Sequence, residues 1–442
     1  MSASASPLLS DHCSFDHVYR TILLPFFRGL DDGRAFNQSY SLADCLKAGF
    51  SLFSLKSPSM YQFRQMAQAE EHNLHTLFDL GAIPQDTAFR EVLDGVDPGE
   101  LRRGFGQLFE HFSENTALAQ SYRAWQKFTV VSVDGVEHFC SKKVSCAHCL
   151  RRNHRDGSTT NYHSMLSAAI VHPERAEVFP LDHEPLVNAD GAVKNDCERN
   201  AIHRLLDHFQ NAYSKLDAIF VLDALYACGP VVERLKRVAN WRYVITVKEA
   251  GNQHLFAQFD ERNASSGGVK WLPAEQRDQQ GREWEIGYTN GLGLNASATH
   301  LKVNMVFARA TDKQGKEVVF SYLTDIKLTK KNVRRIWQIG RSRWKIENET
   351  FNTLKNQGYH FKHNYGHGKE NLCTVMAYLM MMAFWVDQLQ QAASQDFQTL
   401  VAGLKTRVKL WDVMRAVVKI VPVDSMKQLF VKIADMYCIR LI

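Results

Sequence analysis

Apolar residues recur at helical spacing through the first 125 positions, as in "SLADCLKAGFSLFSL" and "LRRGFGQLFEHF", with "KSPSM", "GAIPQD" and "GVDPGE" supplying stops. This predicts a helical N-terminal region over 1–125. At "KFTVVSVDG" the pattern turns β-branched and ends in an acid, Asp134, and strand-like "MLSAAIV" and "AEVFPL" follow. A helix, "DCERNAIHRLLDHF", leads to a second apolar strand, "DAIFVLDA", again closed by an acid, Asp223. The helical "VVERLKRV" and the strand "WRYVITVK" complete an alternation typical of α/β units over 126–254.

From about 255 to 325, Gly-rich turns such as "SSGG" and "NGLGLN" separate the strands "EWEIGY", "HLKVNMVFARA" and "EVVFSYLTD", predicting a β-rich, mainly antiparallel insertion. A long helix is expected from about Thr329 to Gln357, with Gly358 as its C-terminal stop. The core then resumes over 326–390 and gives way to a helical tail over 391–442. The apolar run Leu372–Val386 is short for a bilayer, so it reads as a buried core helix and no membrane partner is expected.

At 442 residues and 45% hydrophobic, the chain has the composition of an ordinary globular protein. Its net charge of +6 matters less than where the charge lies. From Lys327 to Lys345 there are eight Lys or Arg and no acid, a run suited to nucleic acid. The nine scattered cysteines and an N-terminus without a signal-like apolar stretch point to a reducing cytoplasm.

An Asp directly after an apolar strand is most simply a turn former. Two in one sheet, facing a third acid on a helix, instead fit two-metal phosphoryl transfer, in which Mg²⁺ takes oxygen ligands. The helix offers two acids in "RWKIENETF". At about 100° per residue, Glu347 shares a side with Arg343, Trp344, Phe351 and Leu354, whereas Glu349 lies about 200° away. Glu347 is therefore expected to face the protein body, and Glu349 to face water beside Lys345 at i, i+4. Trp344 is expected in the core.

Other groupings have plainer readings beside sharper ones. Cys146 and Cys149, in "CAHC", have the spacing of half a zinc site, with Cys140, His148, His154 and His163 as nearby further ligands; ordinary reduced thiols are the simpler reading. His363 and His367 have a ligand-like spacing, but Gly358, Gly366 and Gly368 argue against a helix to carry them, so polar contacts are expected. Glu198 falls at a helix start near a capping Asp196 and has no assigned task.

Taken together, "VVSVDGVEHF", "FVLDALY", "GRSRWKIENETFNTLKNQGYHFKHNYGHG" and "SLFSLKSPSMYQF" resemble the DDE transposases of bacterial insertion sequences, specifically the IS-four superfamily. The resemblance implies an α/β fold: a ribonuclease H-like catalytic core with a β-rich insertion, between a helical, DNA-binding N-terminal domain and a helical C-terminal tail. It implies Asp134, Asp223 and Glu347 as the catalytic triad holding two Mg²⁺ (or Mn²⁺) ions. The family's third motif is spaced Tyr-x2-Arg-x3-Glu-x6-Lys; Arg343 and Glu347 fit it, but Gly340 stands at the Tyr position and Leu354 at the Lys position, with Lys355 one residue late. Arg343, Lys355, Arg341, Lys345, Lys330, Lys331, Arg334 and Arg335 are expected to contact DNA phosphates.

The implied activity is cut-and-paste transposition: water activated by the metals cleaves at the element's ends, and the freed 3′-hydroxyl attacks a second phosphodiester. The implied partners are the terminal inverted repeats and target DNA, bound by a homodimer in the bacterial cytoplasm at the nucleoid. A DNA-binding relative without catalysis, or a nuclease with the same core, is the alternative.

Overall fold

The structure is a computed structural model that describes residues 7–34, 38–69, 71–188, 195–274, 277, 278 and 280–441. Its centre is an eleven-stranded sheet made of β1 (Arg123–Trp125), β2 (Phe128–Ser141), β3 (Leu150–Asn153), β4 (Thr159–Val171), β5 (Phe179–Leu186), β6 (Ala218–Leu222), β7 (Trp241–Thr246), β8 (Lys270–Leu272), β9 (Glu285–Gly293), β10 (Lys302–Thr311) and β11 (Glu317–Thr324). The order along the sheet is β3-β4-β2-β6-β7-β11-β10-β9-β8, with β1 on β2 and β5 on β4.

Chemistry and topology agree at its middle. β6 is buried along its whole length and runs parallel to both β2 and β7, as expected of a continuous apolar run covered on both faces. The Gly-rich stretch after 255 does form hairpins, but they extend the core sheet, because β11 pairs antiparallel with β7. That stretch also opens with a helix, Gln253–Ala264, whose apolar face (Leu255, Phe256, Phe259) is buried.

The helix expected from 329 to 357 is divided. An α-helix over Val333–Arg341 tightens into a 3₁₀ turn at Ser342–Trp344 and then widens into a π-helical stretch over Ile346–Asn352 before Thr353–Asn356. Gly358 follows with φ of +93°, a conformation glycine adopts at little cost. Departures of this kind re-aim side chains and recur at functional sites.

The N-terminal helices do not stand apart. Ser41 caps Leu42–Ser54 by accepting from the Asp44 amide, and Asp97 caps Pro98–Glu114. Both helices pack on the 22-residue helix Leu372–Ala393, which is long and apolar enough to span a membrane but is buried within the chain. Asp94 accepts from the amides of Lys369, Glu370, Asn371 and Leu372, closing that helix's N-terminus. Buried inside this helical body, Lys56 Nζ lies 2.5 Å from Asp387 Oδ2 and 3.9 Å above the Trp411 ring.

Candidate active site

The paired register of β2 and β6 sets Ser132 opposite Val221. Two residues further on, the same register brings Asp134 level with Asp223, although only Asp223 closes its strand: β2 runs on through Asp134 to Ser141 as a partner of β4, contrary to the strand end expected at Asp134. Asp223, just past β6, accepts from the Leu225 amide and caps a short 3₁₀ turn. Side chains alternate along a strand, so Ser132 and Asp134 share a face of β2. On that face Ser132 Oγ donates to the carbonyl of Arg343 at 2.9 Å and so anchors the divided helix over the strand.

Arg343 joins the acids. Its Nη1 donates to Asp134 Oδ2 at 3.0 Å and its Nη2 to Glu347 Oε1 at 2.9 Å. Burial, and then the adjacent Glu347 carboxylate, push the Asp134 carboxyl up to about 7, with the Arg343 guanidinium pulling the other way. For Glu347 burial is again the largest influence and would raise it, yet its hydrogen bonding to Asp134 and Arg343 leaves it below the ordinary value.

A fourth carboxylate joins them. A Cβ on Gly135 would sit 2.1 Å from Glu198 Oε1, so glycine beside Asp134 is what makes room for Glu198. Tyr226, in the turn capped by Asp223, donates its hydroxyl to Glu198 Oε2 at 3.2 Å. Burial raises the Glu198 pKa and the Asp223 charge adds to it, against the Tyr226 bond. Sequence reasoning left Glu198 without a task; the Asp-Gly step at 134–135 was the signal available, since a glycine there asks what it accommodates.

The two glutamates of "RWKIENETF" are not arranged as the helical projection expects. Glu347 is exposed at the edge of the helix's buried face and opens onto the cleft, whereas Glu349 is half-buried. Trp344, expected in the core, is 40% exposed. The 3₁₀ and π turns break the uniform 100° step on which that projection rests, and Ile346, Thr350, Phe351 and Leu354 take the buried positions. Lys345, expected to pair with Glu349 on the surface, donates to the Arg175 carbonyl and is half-buried, with the Glu349 charge acting on it.

The departures from the third motif have physical causes. A Cβ on Gly340 would lie 2.8 Å from the Tyr322 ring of β11, so that ring takes up the space of a side chain there. Leu354 is fully buried, where a lysine ammonium would be desolvated. Lys355, one residue on, acts electrostatically on Glu347.

The remaining basic residues differ in placement. Lys330 and Lys331 are exposed. Arg334 donates to the Pro273 carbonyl, and Arg335 donates to Ala124 O and to Glu174 Oε1 at 2.7 Å. Arg341 stacks 4.0 Å from the Phe320 ring centroid. Cys146 and Cys149 lie together beyond the far end of β2, near His163, whereas His148 meets Glu370 and His154 meets Thr160.

Acids level with one another on adjacent parallel strands, faced by another on a packed helix, suit metal-dependent phosphoryl transfer. Residues 175–385 match the family model described as transposase DDE domain, a span that includes Asp223 and Glu347 and begins after Asp134. That part of the chain thus matches a transposase DDE domain within an α/β fold, and the function this supports is that of a DNA transposase, a class that acts on DNA and uses divalent metal ions. No curated protein matches the chain. Among solved structures, a piggyBac transposase synaptic complex with hairpin DNA is similar at 9% identity and a TM-score of 0.38, over 99% of this chain and 81% of that one.

Proposed function

We propose that this chain carries out cut-and-paste transposition of an insertion sequence, cleaving DNA at the element's ends and joining the freed 3′ ends to target DNA. Asp134, Asp223 and Glu347 are the residues that would hold two Mg²⁺ or Mn²⁺ ions; when bound, such ions activate the attacking oxygen and stabilise the leaving one. The observation that carries this reading is the level placement of Asp134, within β2, and Asp223, just past the parallel β6, with Arg343 bridging Asp134 to Glu347. The donor set fits hard cations, because the ligands are all carboxylate oxygens.

Arg343 sets the distance between the two acids and places its remaining guanidinium edge at the cleft, where a phosphate would accept from it. Lys355, Lys330 and Lys331, with Arg341, Lys345, Arg334 and Arg335 bracing the same basic segment, give the DNA backbone its electrostatic attraction, so binding weakens steeply with salt. Two copies act together, one on each end.

The test is a cleavage and joining assay on DNA carrying the element's own terminal repeats, in Mg²⁺ or Mn²⁺. Asp134→Asn, Asp223→Asn and Glu347→Gln are each expected to abolish cleavage while retaining DNA binding. Cleavage without joining would make the chain a nuclease, and DNA binding without cleavage by the unaltered protein would refute catalysis altogether.

A further inference from the structure

Five residues beyond Asp134 on β2, roughly 16 Å along the strand, a second constellation closes. Cys146, Cys149, His163 and His367 each direct one donor atom to a common point, and these atoms all lie within 4.8 Å of one another. Cys146 and Cys149 come from the turn between β2 and β3, and His163 sits on β4 opposite Phe139 of β2. His367 arrives from a loop more than two hundred residues away in sequence, after the helix that carries Glu347. Sequence spacing flagged the Cys pair with His163, and His367 separately with His363; that His367 joins the Cys pair is legible only in three dimensions.

Five of the six distances match the edges of a tetrahedron, and the sixth, Cys146 to His367, lies within 4.8 Å. The sulfurs are 3.8 Å apart, His163 Nε2 lies 3.4 and 3.3 Å from Cys146 and Cys149 Sγ, Cys149 Sγ lies 3.4 Å from His367 Nε2, and the two Nε2 atoms are 3.2 Å apart. A tetrahedral zinc with Zn–S of about 2.3 Å and Zn–N of about 2.0–2.1 Å requires edges of about 3.8 Å between sulfurs, about 3.5 Å between S and N, and about 3.3 Å between nitrogens. The sulfurs are too far apart for a disulfide, whose bond is about 2.05 Å.

The surroundings favour a metal independently. His367 Nδ1 lies 2.7 Å from the Gly368 carbonyl, which can only accept, so Nδ1 carries the proton and the Nε2 lone pair faces the cluster. That orientation is built into the backbone: Gly366 and Gly368 flank His367 with φ of +142° and +74°. The Cys146 amide donates to Cys149 Sγ at 3.4 Å, which suits a thiolate. Cys149, His163 and His367 are buried, where two imidazoles and two thiols would otherwise crowd their polar atoms together without solvent.

We propose that Cys146, Cys149, His163 and His367 form a structural zinc site that clamps the loop following the Glu347 helix to the hairpin extending the Asp134 strand. The set is closed, with four protein ligands and no open position, so its task is to hold two parts of the active-site framework in register.

The full-length protein, expressed with zinc and purified without chelator, should retain about one zinc per chain by elemental mass spectrometry. Asp134→Asn should keep that zinc, which separates this site from the catalytic acids. Cys146→Ser, Cys149→Ser, His163→Ala and His367→Ala should each lose it, while Cys140→Ser, His148→Ala and His154→Ala should not. Cobalt in place of zinc should give the intense visible bands of a tetrahedral site with two thiolates. If ligand variants prove insoluble, alkylation of the unaltered protein decides the matter: Cys146 and Cys149 should be protected until a strong chelator is added, while exposed Cys140 reacts throughout. Absence of zinc from the unaltered protein, retention by the His367 variant, or alkylation indifferent to chelator would overturn the proposal.

Discussion

The ring of Tyr322 lies against the Cα of Gly340 so closely that a methyl group there would come within 2.8 Å of it. Tyr322 is buried on β11, between the added hairpins and the core, and cannot swing away without leaving its strand. Gly340→Ala is therefore expected to destabilise the fold by about 1–3 kcal/mol through overpacking. Tyr322→Leu should relieve much of that cost in the double variant, as measured by denaturant midpoints. Additive losses would show that the contact is not the reason for the glycine.

Glu347→Gln is expected to abolish strand cleavage, and Glu349→Gln to preserve most of it. The reason is no longer that one faces inward and the other outward: Glu347 shares Arg343 with Asp134, while Glu349 acts on Lys345. Equal loss of cleavage in both variants would remove the distinction.

Gly135→Ala should displace Glu198, because its new methyl falls on that carboxylate. The expected result is a loss of cleavage of about tenfold or more, a barrier change of about 1.4 kcal/mol, with DNA binding unchanged. Glu198→Gln should shift the metal concentration needed for half-maximal cleavage; an unchanged metal titration would make Glu198 a bystander.

Acid should weaken the fold through His183. Burial pushes this imidazole from 6.5 down to about 3, with Asp182 opposing the shift and Arg102 adding to it. The unfolded chain takes up a proton near 6.5 that the folded chain refuses, so this contribution is intact above that pH and falls as pH drops towards 3. Each such group costs about 1.4 kcal/mol per pH unit within that window. Urea midpoints between pH 7 and 4.5 should fall less steeply in His183→Asn; an unchanged slope would assign the acid sensitivity elsewhere.

Asp387→Asn should be severe, because it strands the Lys56 ammonium in a closed interior. Tyr359 donates its hydroxyl to the same carboxylate at 2.6 Å, so two partners lose their acceptor charge. A loss of about 3–5 kcal/mol is expected. Replacing both charges by Lys56→Met with Asp387→Leu should cost less, and a double variant worse than the single one would contradict this.

The sequence made the strands legible where composition and periodicity agree, as in β6, whose five residues are all buried. It also singled out Asp134 and Asp223, because acids after apolar strands are unusual, and Glu347 through its helix face and the family's third motif. The orientation of Glu347 and Trp344 was not legible, since a projection at constant pitch cannot foresee a 3₁₀ turn passing into a π turn. The partners of Glu198 and His367 were hidden for another reason: they lie far away in sequence, and only the sheet register and the Gly-His-Gly turn bring them in.

The helix Leu372–Ala393 has a consequence for how the protein is born. The apolar faces of Leu42–Ser54 and Pro98–Glu114 pack on it, yet it is synthesised long after both. At about 5–20 residues per second, the ribosome leaves those faces without their partner for roughly 13–65 s. The nascent chain is thus a natural client for chaperones, and premature termination anywhere before Leu372 yields a product whose first helices lack the long helix on which they pack.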